Sequence, residues 1–203
     1  MNNKKLVDTL IEEDVLRTTE IKNAFTEVDR LDFVRKENLS EAYGNYPLSI
    51  GYEQTISQPA TVAFMLELLD PKAGEMILDI GSGSGWTTEL LAQIVGQKGH
   101  VWGLEIIPEL VQFGRENIAK YTYGNAEILQ ASENLGLANN APFDKILVSA
   151  GNTKLPQELV EQLKEGGIMV IPIGDAIWKV VKHSGGKTDI EKFEGFAFVP
   201  LIH

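Results

Sequence analysis

The chain has 203 residues, 43% hydrophobic and 23% charged, which is enough for one domain with a substantial core. It contains no cysteine, so disulfides, thiolate metal sites and a cysteine nucleophile are excluded, and its three histidines, His100, His183 and His203, are too scattered for a histidine metal site. A net charge of −11 argues against nucleic acid and anionic membranes as partners.

The opening residues, Met1-Asn-Asn-Lys-Lys5, run into a segment that charges interrupt, so neither a signal peptide nor a membrane span is expected. The cytoplasm is the expected compartment, with the chain as a monomer. Lys4 to Leu16 has helical periodicity, with Leu6, Leu10 and Ile11 on one face. Thr19 is placed to cap a second helix from Glu20 to Val28, where Ile21, Ala24, Phe25 and Val28 keep helical spacing. Residues 32–56 are irregular and punctuated by Gly44, Pro47 and Gly51, but Tyr43, Tyr46, Leu48, Ile50 and Tyr52 make them too apolar for disorder. An ordered wall of a site is the expectation. Pro59 then starts a helix whose stripe is Val62, Met65, Leu66 and Leu69. Ser57, just ahead of it, fits either a helix cap or a site hydroxyl.

The stretch Met76-Ile-Leu-Asp-Ile-Gly-Ser-Gly-Ser-Gly-Trp86 reads as a buried strand, a glycine turn and the start of a helix from Thr87 to Val95. Such a turn brings backbone N–H groups and a helix N-terminus close to a ligand. The spacing G-x-G-x-G differs from the dinucleotide pattern G-x-G-x-x-G and suits a ligand without a pyrophosphate, such as S-adenosylmethionine (SAM). The next strand, His100 to Glu105, ends in an acid placed to accept both ribose hydroxyls. A helix from Pro108 to Lys120, strands at Ala126–Gln130 and Phe143–Ser149, a helix from Leu155 to Lys164 closed by Gly166-Gly167, and a strand at Ile168–Ile173 follow. Ala176–Lys182 and Phe193–Leu201 read as two further strands around the turn Ser184-Gly-Gly-Lys187. The fold class is therefore α/β, a doubly wound, mostly parallel sheet with an N-terminal helical extension and a C-terminal antiparallel ribbon. Residues 1–203 form one expected domain, with 1–56 as an extension. Site candidates are the strand ends: Asp79 to Gly85, Glu105-Ile106, Ser132-Glu133 and Ser149 to Asn152.

Three stretches carry a more specific likeness: Tyr43-x-x-Tyr-Pro-Leu-x-Ile-Gly51 with Gln54-Thr-Ile-Ser-Gln-Pro59; Ala141-Pro-Phe-Asp-Lys-Ile146 with Leu155-Pro156 and Gln162-Leu-Lys-x-Gly-Gly167; and Phe198-Val-Pro-Leu201. Val28-Asp-Arg-Leu-Asp-Phe-Val34 adds to them. With Leu78 to Gly85, they make the chain resemble the protein-L-isoaspartate O-methyltransferase family, from about Leu6 to Ile202. The resemblance implies a Rossmann-like class I methyltransferase that transfers methyl from SAM to the free carboxylate of isoaspartyl residues in damaged peptides, leaving S-adenosylhomocysteine. The methyl ester then cyclises to a succinimide, which begins repair. It implies that Ser57 orients the substrate carboxylate, and that Thr55 and Ile56 share the substrate and cofactor loop with Gln58. It further implies that Gly81, Ser82, Gly83 and Gly85 contact the methionine part of SAM. On the same resemblance Glu105 is expected to hold the ribose, Ile106 to pack on the adenine, and Asp79 to reach the methionine amino group through water.

Several positions depart from the family pattern. Ala131-Ser-Glu133 stands where Gly-Asp-Gly is usual, which leaves an adenine contact to Ser132 or Glu133. Ser149-Ala150 replaces Ala-Ala, Tyr43-Gly-Asn45 replaces Tyr-Glu-Asp, and the segment after Gly174 is shorter. A relative acting on another carboxylate or a small molecule, and a non-catalytic SAM-binding module, are the alternatives.

Overall fold

A computed structural model describes residues 2–121 and 124–201; Ile202 and His203 lie outside the described residues. Helix α1 (Asn3–Glu12) is capped by Asn2, whose side chain accepts from Lys5 N at 3.0 Å. It stops short of the expected Leu16 because Asp14 takes a positive φ of 56° and turns the chain. Helix α2 (Thr19–Glu27) buries Ile21, Ala24 and Phe25, and Phe25 meets Trp86 edge-on at 5.5 Å. Burying one such ring contributes about 1.5–3 kcal/mol. Thr19 is not the cap. Thr18 holds that position, and the cap is built from elsewhere: Glu67 accepts from the N–H groups of Arg17 and Thr18 and from the Thr18 hydroxyl.

Residues 30–56 are ordered, as two short 3-10 turns (Arg30–Phe33 and Lys36–Glu41) and a hairpin of β1 (Leu48–Gly51) and β2 (Gln54–Ile56). Helix α3 (Pro59–Leu69) has Pro59 in its first turn and Gln58 as N-cap. Ser57 therefore lies outside the helix and is not its cap.

The main sheet contains β3 (Met76–Ile80), β4 (His100–Glu105), β5 (Ala126–Gln130), β6 (Phe143–Val148), β7 (Leu163–Ile173), β8 (Ala176–Lys182) and β9 (Thr188–Glu194). Their order is β5-β4-β3-β6-β7-β8-β9. Pairing is parallel from β5 to β7 and antiparallel through β8 and β9. Helices α4 (Trp86–Val95) and α5 (Pro108–Ile118) cross between β3, β4 and β5, and α6 (Gln157–Gln162) precedes β7. Alternate side chains on each strand enter opposite cores, as strand geometry requires. Ile77, Leu147 and Val170 join the helices α1 to α4, while Leu78, Ile146 and Met169 pack with Phe143 and Leu159 on the other face.

Two boundaries in the last third of the chain also differ from expectation. The helix expected to reach Lys164 ends at Gln162, because its last residues are claimed by the sheet. Leu163 pairs with Phe143, and Lys182 Nζ donates to the carbonyls of Glu161 and Leu163 at 3.1 and 2.6 Å. The last strand is Thr188–Glu194, not Phe193–Leu201. The turn at residues 184–186 leads straight back along β8, so Thr188 pairs with Lys182 and Glu194 with Ala176. Most of β9 is exposed and polar, which hid its strand character. Residues 195–201 instead cross the carboxyl ends of the strands. Among the described residues no helix is long and apolar enough to cross a membrane.

Candidate active site

The chain runs from β3 outward through β4 to β5, then returns to place β6 on the other side of β3. This reversal opens a crevice at the carboxyl ends of β3 and β6, where doubly wound sheets bind ligands. A cleft of about 720 Å³ occupies it. Ile80, Gly81 and Gly83 form one side, and Glu105, Ile106 and Ile107 the next. Ala131, Ser132, Asn134 and Leu135 follow from the end of β5, and Ser149 and Ala150 from β6. Two separate pieces roof it. One is the β1–β2 hairpin, through Ile50, Gln54 and Thr55; the other is the tail, through Val199, Pro200 and Leu201. The tail is fastened by Gly151, whose N–H donates to Val199 O and whose carbonyl accepts from Leu201 N, both at 2.8 Å.

Positive φ values of 77° at Gly81 and 52° at Gly83 allow the turn to run close to both walls. A Cβ on Gly83 would stand 3.1 Å from Ile50 Cδ1, so the hairpin roof rests on that glycine. Glu105 is 6% exposed, and its two oxygens accept from Gly83 N at 3.0 Å and Ile107 N at 2.9 Å. This clamp ties the glycine turn to β4 and fixes a carboxylate at the cleft wall. Each oxygen keeps further acceptor capacity for a ribose diol. Ser82, 4% exposed, has a hydroxyl without a partner among the described residues. It lines a narrow passage with Gly81, Gly83, Ser84, Thr87 and Ile56. A fixed carboxylate, a buried hydroxyl, a passage rich in hydroxyls (Ser82, Ser84, Thr87) and apolar walls at Ile80, Leu104 and Ile106 fit the expected SAM, with its ribose, charged amino-acid end and flat base.

The passage opens into a second groove of about 1190 Å³. Pro47, Thr55, Ser57, Gln58, Thr61 and Ser149 line one part, and Gly195 to Pro200 the other. Among the described residues, no charged side chain lines it. Thr55 and Ser149 border the cleft, the passage and the groove alike, and Ser57 borders the passage and the groove.

Of the strand-end candidates, Gly151 bridges to Pro200 and Asn152 to Ile173, and neither lines the cleft; three of the residues expected at the cofactor also stand elsewhere. Asp79 lies beneath the turn with no exposure, its Oδ2 accepting from the hydroxyls of Thr87 and Thr88 at 2.7 and 2.6 Å, so it braces the start of α4 and does not line the cleft. Burial raises its pKa to about 6 against the pull of Thr88, Thr87 and Ser149, and the charge on Glu105 adds to the rise. Gly85 faces α5 and β5: a Cβ there would meet Ile118 and Ile128 at 3.0 Å. Its glycine serves helix packing. Glu133 is exposed and outside the cleft, while its neighbours Ser132 and Asn134 line it. The chain turns between them, with Ser132 Oγ 3.3 Å from Asn134 N, and this carries the Glu133 side chain outward. Asn134, Gln54 and the tail residues Val199 to Leu201 were not foreseen as site residues. The only signal for the tail was the pattern Phe198-Val-Pro-Leu201, which reads equally well as a strand.

Comparison with known proteins adds an independent line. A family model described as protein-L-isoaspartate(D-aspartate) O-methyltransferase matches residues 1–203. A protein-L-isoaspartate O-methyltransferase of Methanopyrus kandleri is 41% identical over 204 aligned residues, covering 98% of this chain and 90% of that one. One from Pyrococcus abyssi is 40% identical, with 98% and 94% covered. Among solved structures, a Plasmodium falciparum protein-L-isoaspartate O-methyltransferase in complex with S-adenosyl-L-homocysteine aligns with a TM-score of 0.87 at 27% identity, covering 100% of this chain and 99% of that one.

Proposed function

The chain belongs to the protein-L-isoaspartate(D-aspartate) O-methyltransferase family, and from that premise we propose how its cleft and groove divide the reaction between them. The enzyme transfers methyl from SAM to the free carboxylate of L-isoaspartyl residues. We read the cleft between Gly83, Glu105 and Ser132 as the cofactor site and the groove beside Ser57 as the acceptor site. The observation that carries this reading is the shared border: Thr55 and Ser149 line both spaces, so a group held in one faces a group held in the other.

When bound, SAM supplies a methyl group activated by a sulfonium leaving group. The residues around it need little acid–base power, because the acceptor carboxylate is already ionised at pH 7. Positioning and exclusion of water are what remain for the protein to provide. The hairpin and the tail cover the cleft, the Glu105 clamp holds the ribose side, and the hydroxyl of Ser57 donates to the acceptor carboxylate. An uncharged groove suits a carboxylate that must approach the sulfonium without being held back by a salt bridge. On the same reading, residues 1–203 act as one domain and as a cytoplasmic monomer, with isoaspartyl peptides as partners. The net charge of −11 supports leaving nucleic acid and membranes out.

Incubation with methyl-labelled SAM and an isoaspartyl peptide, with the aspartyl peptide as control, tests the assignment. Base-labile label on the isoaspartyl peptide alone is expected. Label on both peptides, or on neither, contradicts it.

A further inference from the structure

Arg30 opens the first short turn after α2, and its side chain has no exposure to solvent. Nη1 donates to the carbonyls of Ala42 at 2.6 Å and Gly44 at 3.3 Å. Nη2 donates to the carbonyls of Tyr46 and Ser57, both at 3.1 Å. The guanidinium carbon lies 5.3 Å from the centroid of the Trp86 ring, at the start of α4. Among the described residues, no carboxylate pairs with it, and burial lowers its pKa to about 10.

A buried cation without an anion is costly, and an apolar side chain would fill the same volume at less expense. A planar fork of donors can do one thing that an apolar chain cannot: hold several carbonyls at fixed angles at once. Here the carbonyls come from two strips of chain. Ala42, Gly44 and Tyr46 lead into Pro47, which lines the acceptor groove, and the other carbonyl belongs to Ser57 itself. A second tie joins the same strips, since Asn45 Oδ1 accepts from Ala60 N at 3.0 Å.

We propose that Arg30 is the positioning residue of the acceptor site: its guanidinium locks the backbone of Ser57 to the 42–46 strip and so sets the Ser57 hydroxyl in line with the cofactor passage. The inference rests on the reading of Ser57 as the acceptor-binding hydroxyl. Arg30 touches neither space itself; it acts through Ser57.

The test is a double-mutant cycle of Arg30→Lys and Ser57→Ala, read by turnover of the isoaspartyl peptide and by calorimetric SAM affinity. Lysine keeps the charge but cannot reach both strips. Arg30→Lys should lower kcat by about 10- to 100-fold, the scale of a misplacement of about 1 Å. SAM affinity should stay within about two-fold, because the cofactor cleft does not depend on Ser57. In the Ser57→Ala background most of that loss should vanish, as expected for two residues acting as one unit. Arg30→Gln, which keeps an amide donor without burying a charge, serves if the lysine variant does not fold, and the same split is expected. Equal losses in both backgrounds, or a parallel fall in SAM affinity, would mean general loosening and overturn the proposal while leaving the reaction in place. A parent enzyme that leaves the isoaspartyl peptide unlabelled overturns the functional reading, and this inference with it.

Discussion

Glu89 is an acid in an unfavourable place. It sits on α4 with 3% exposure, its Oε1 has no partner among the described residues, and burial raises its pKa from 4.5 to about 8. Between those values the unfolded chain has released a proton that the folded chain still holds. Stability therefore falls as pH rises through that window and levels off above it. Asp79 adds a slope of the same sign between 3.8 and about 6. Glu89→Gln removes the ionisation while keeping the shape. The variant should gain thermal stability over the parent at pH 8 and show little difference at pH 5. Melting curves at the two pH values check this, and a constant difference between the proteins would show that Glu89 ionises freely in the fold.

At the scale of elements, the glycine turn separates two demands that one motif conceals. Gly83 faces the hairpin roof, where an added Cβ would lie 3.1 Å from Ile50 Cδ1; Gly85 faces Ile118 and Ile128 on the opposite side. Gly83→Ala should weaken SAM binding by about 10-fold or more with a modest loss of stability, because the roof must shift over the cleft. Gly85→Ala, at φ 87° and with Gly114 O only 3.2 Å from its Cβ, should lower the melting temperature first. Calorimetric affinity and thermal melts on both variants distinguish the effects; equal affinity losses would place Gly85 at the ligand after all. The sequence made much of this legible. The β3 turn, the β4 acid and the alternation of strands and helices follow from period and composition, so a cleft at the strand ends could be expected in advance. What stayed hidden was set by contacts distant in sequence. Glu67 caps α2 across a different helix, and Lys182 draws Leu163 into the sheet. Glu133 and Asn134 exchange roles because a local turn decides which of two neighbouring polar residues points inward. No pattern of periodicity reports those choices.

For the molecule as a whole, the sheet supplies a fixed platform, and segments from both ends of the chain build the chemistry on top of it. The 30–58 region brings Ser57 and the hairpin from one side, and the 195–201 tail closes from the other, held at Gly151. The cleft proposed for the cofactor draws mainly on the sheet, while the groove proposed for the acceptor draws mainly on these two additions and meets the cleft at Thr55 and Ser149. Cofactor affinity and methyl transfer should then be separable by mutation. The most direct measurement is Ser57→Ala, assayed side by side for SAM affinity and for turnover of an isoaspartyl peptide. Turnover should fall by about 10- to 100-fold, the scale of one hydrogen bond to a charged group, with SAM affinity unchanged. Full turnover, or a loss of SAM binding in proportion to the loss of turnover, would contradict the division of the site into cleft and groove.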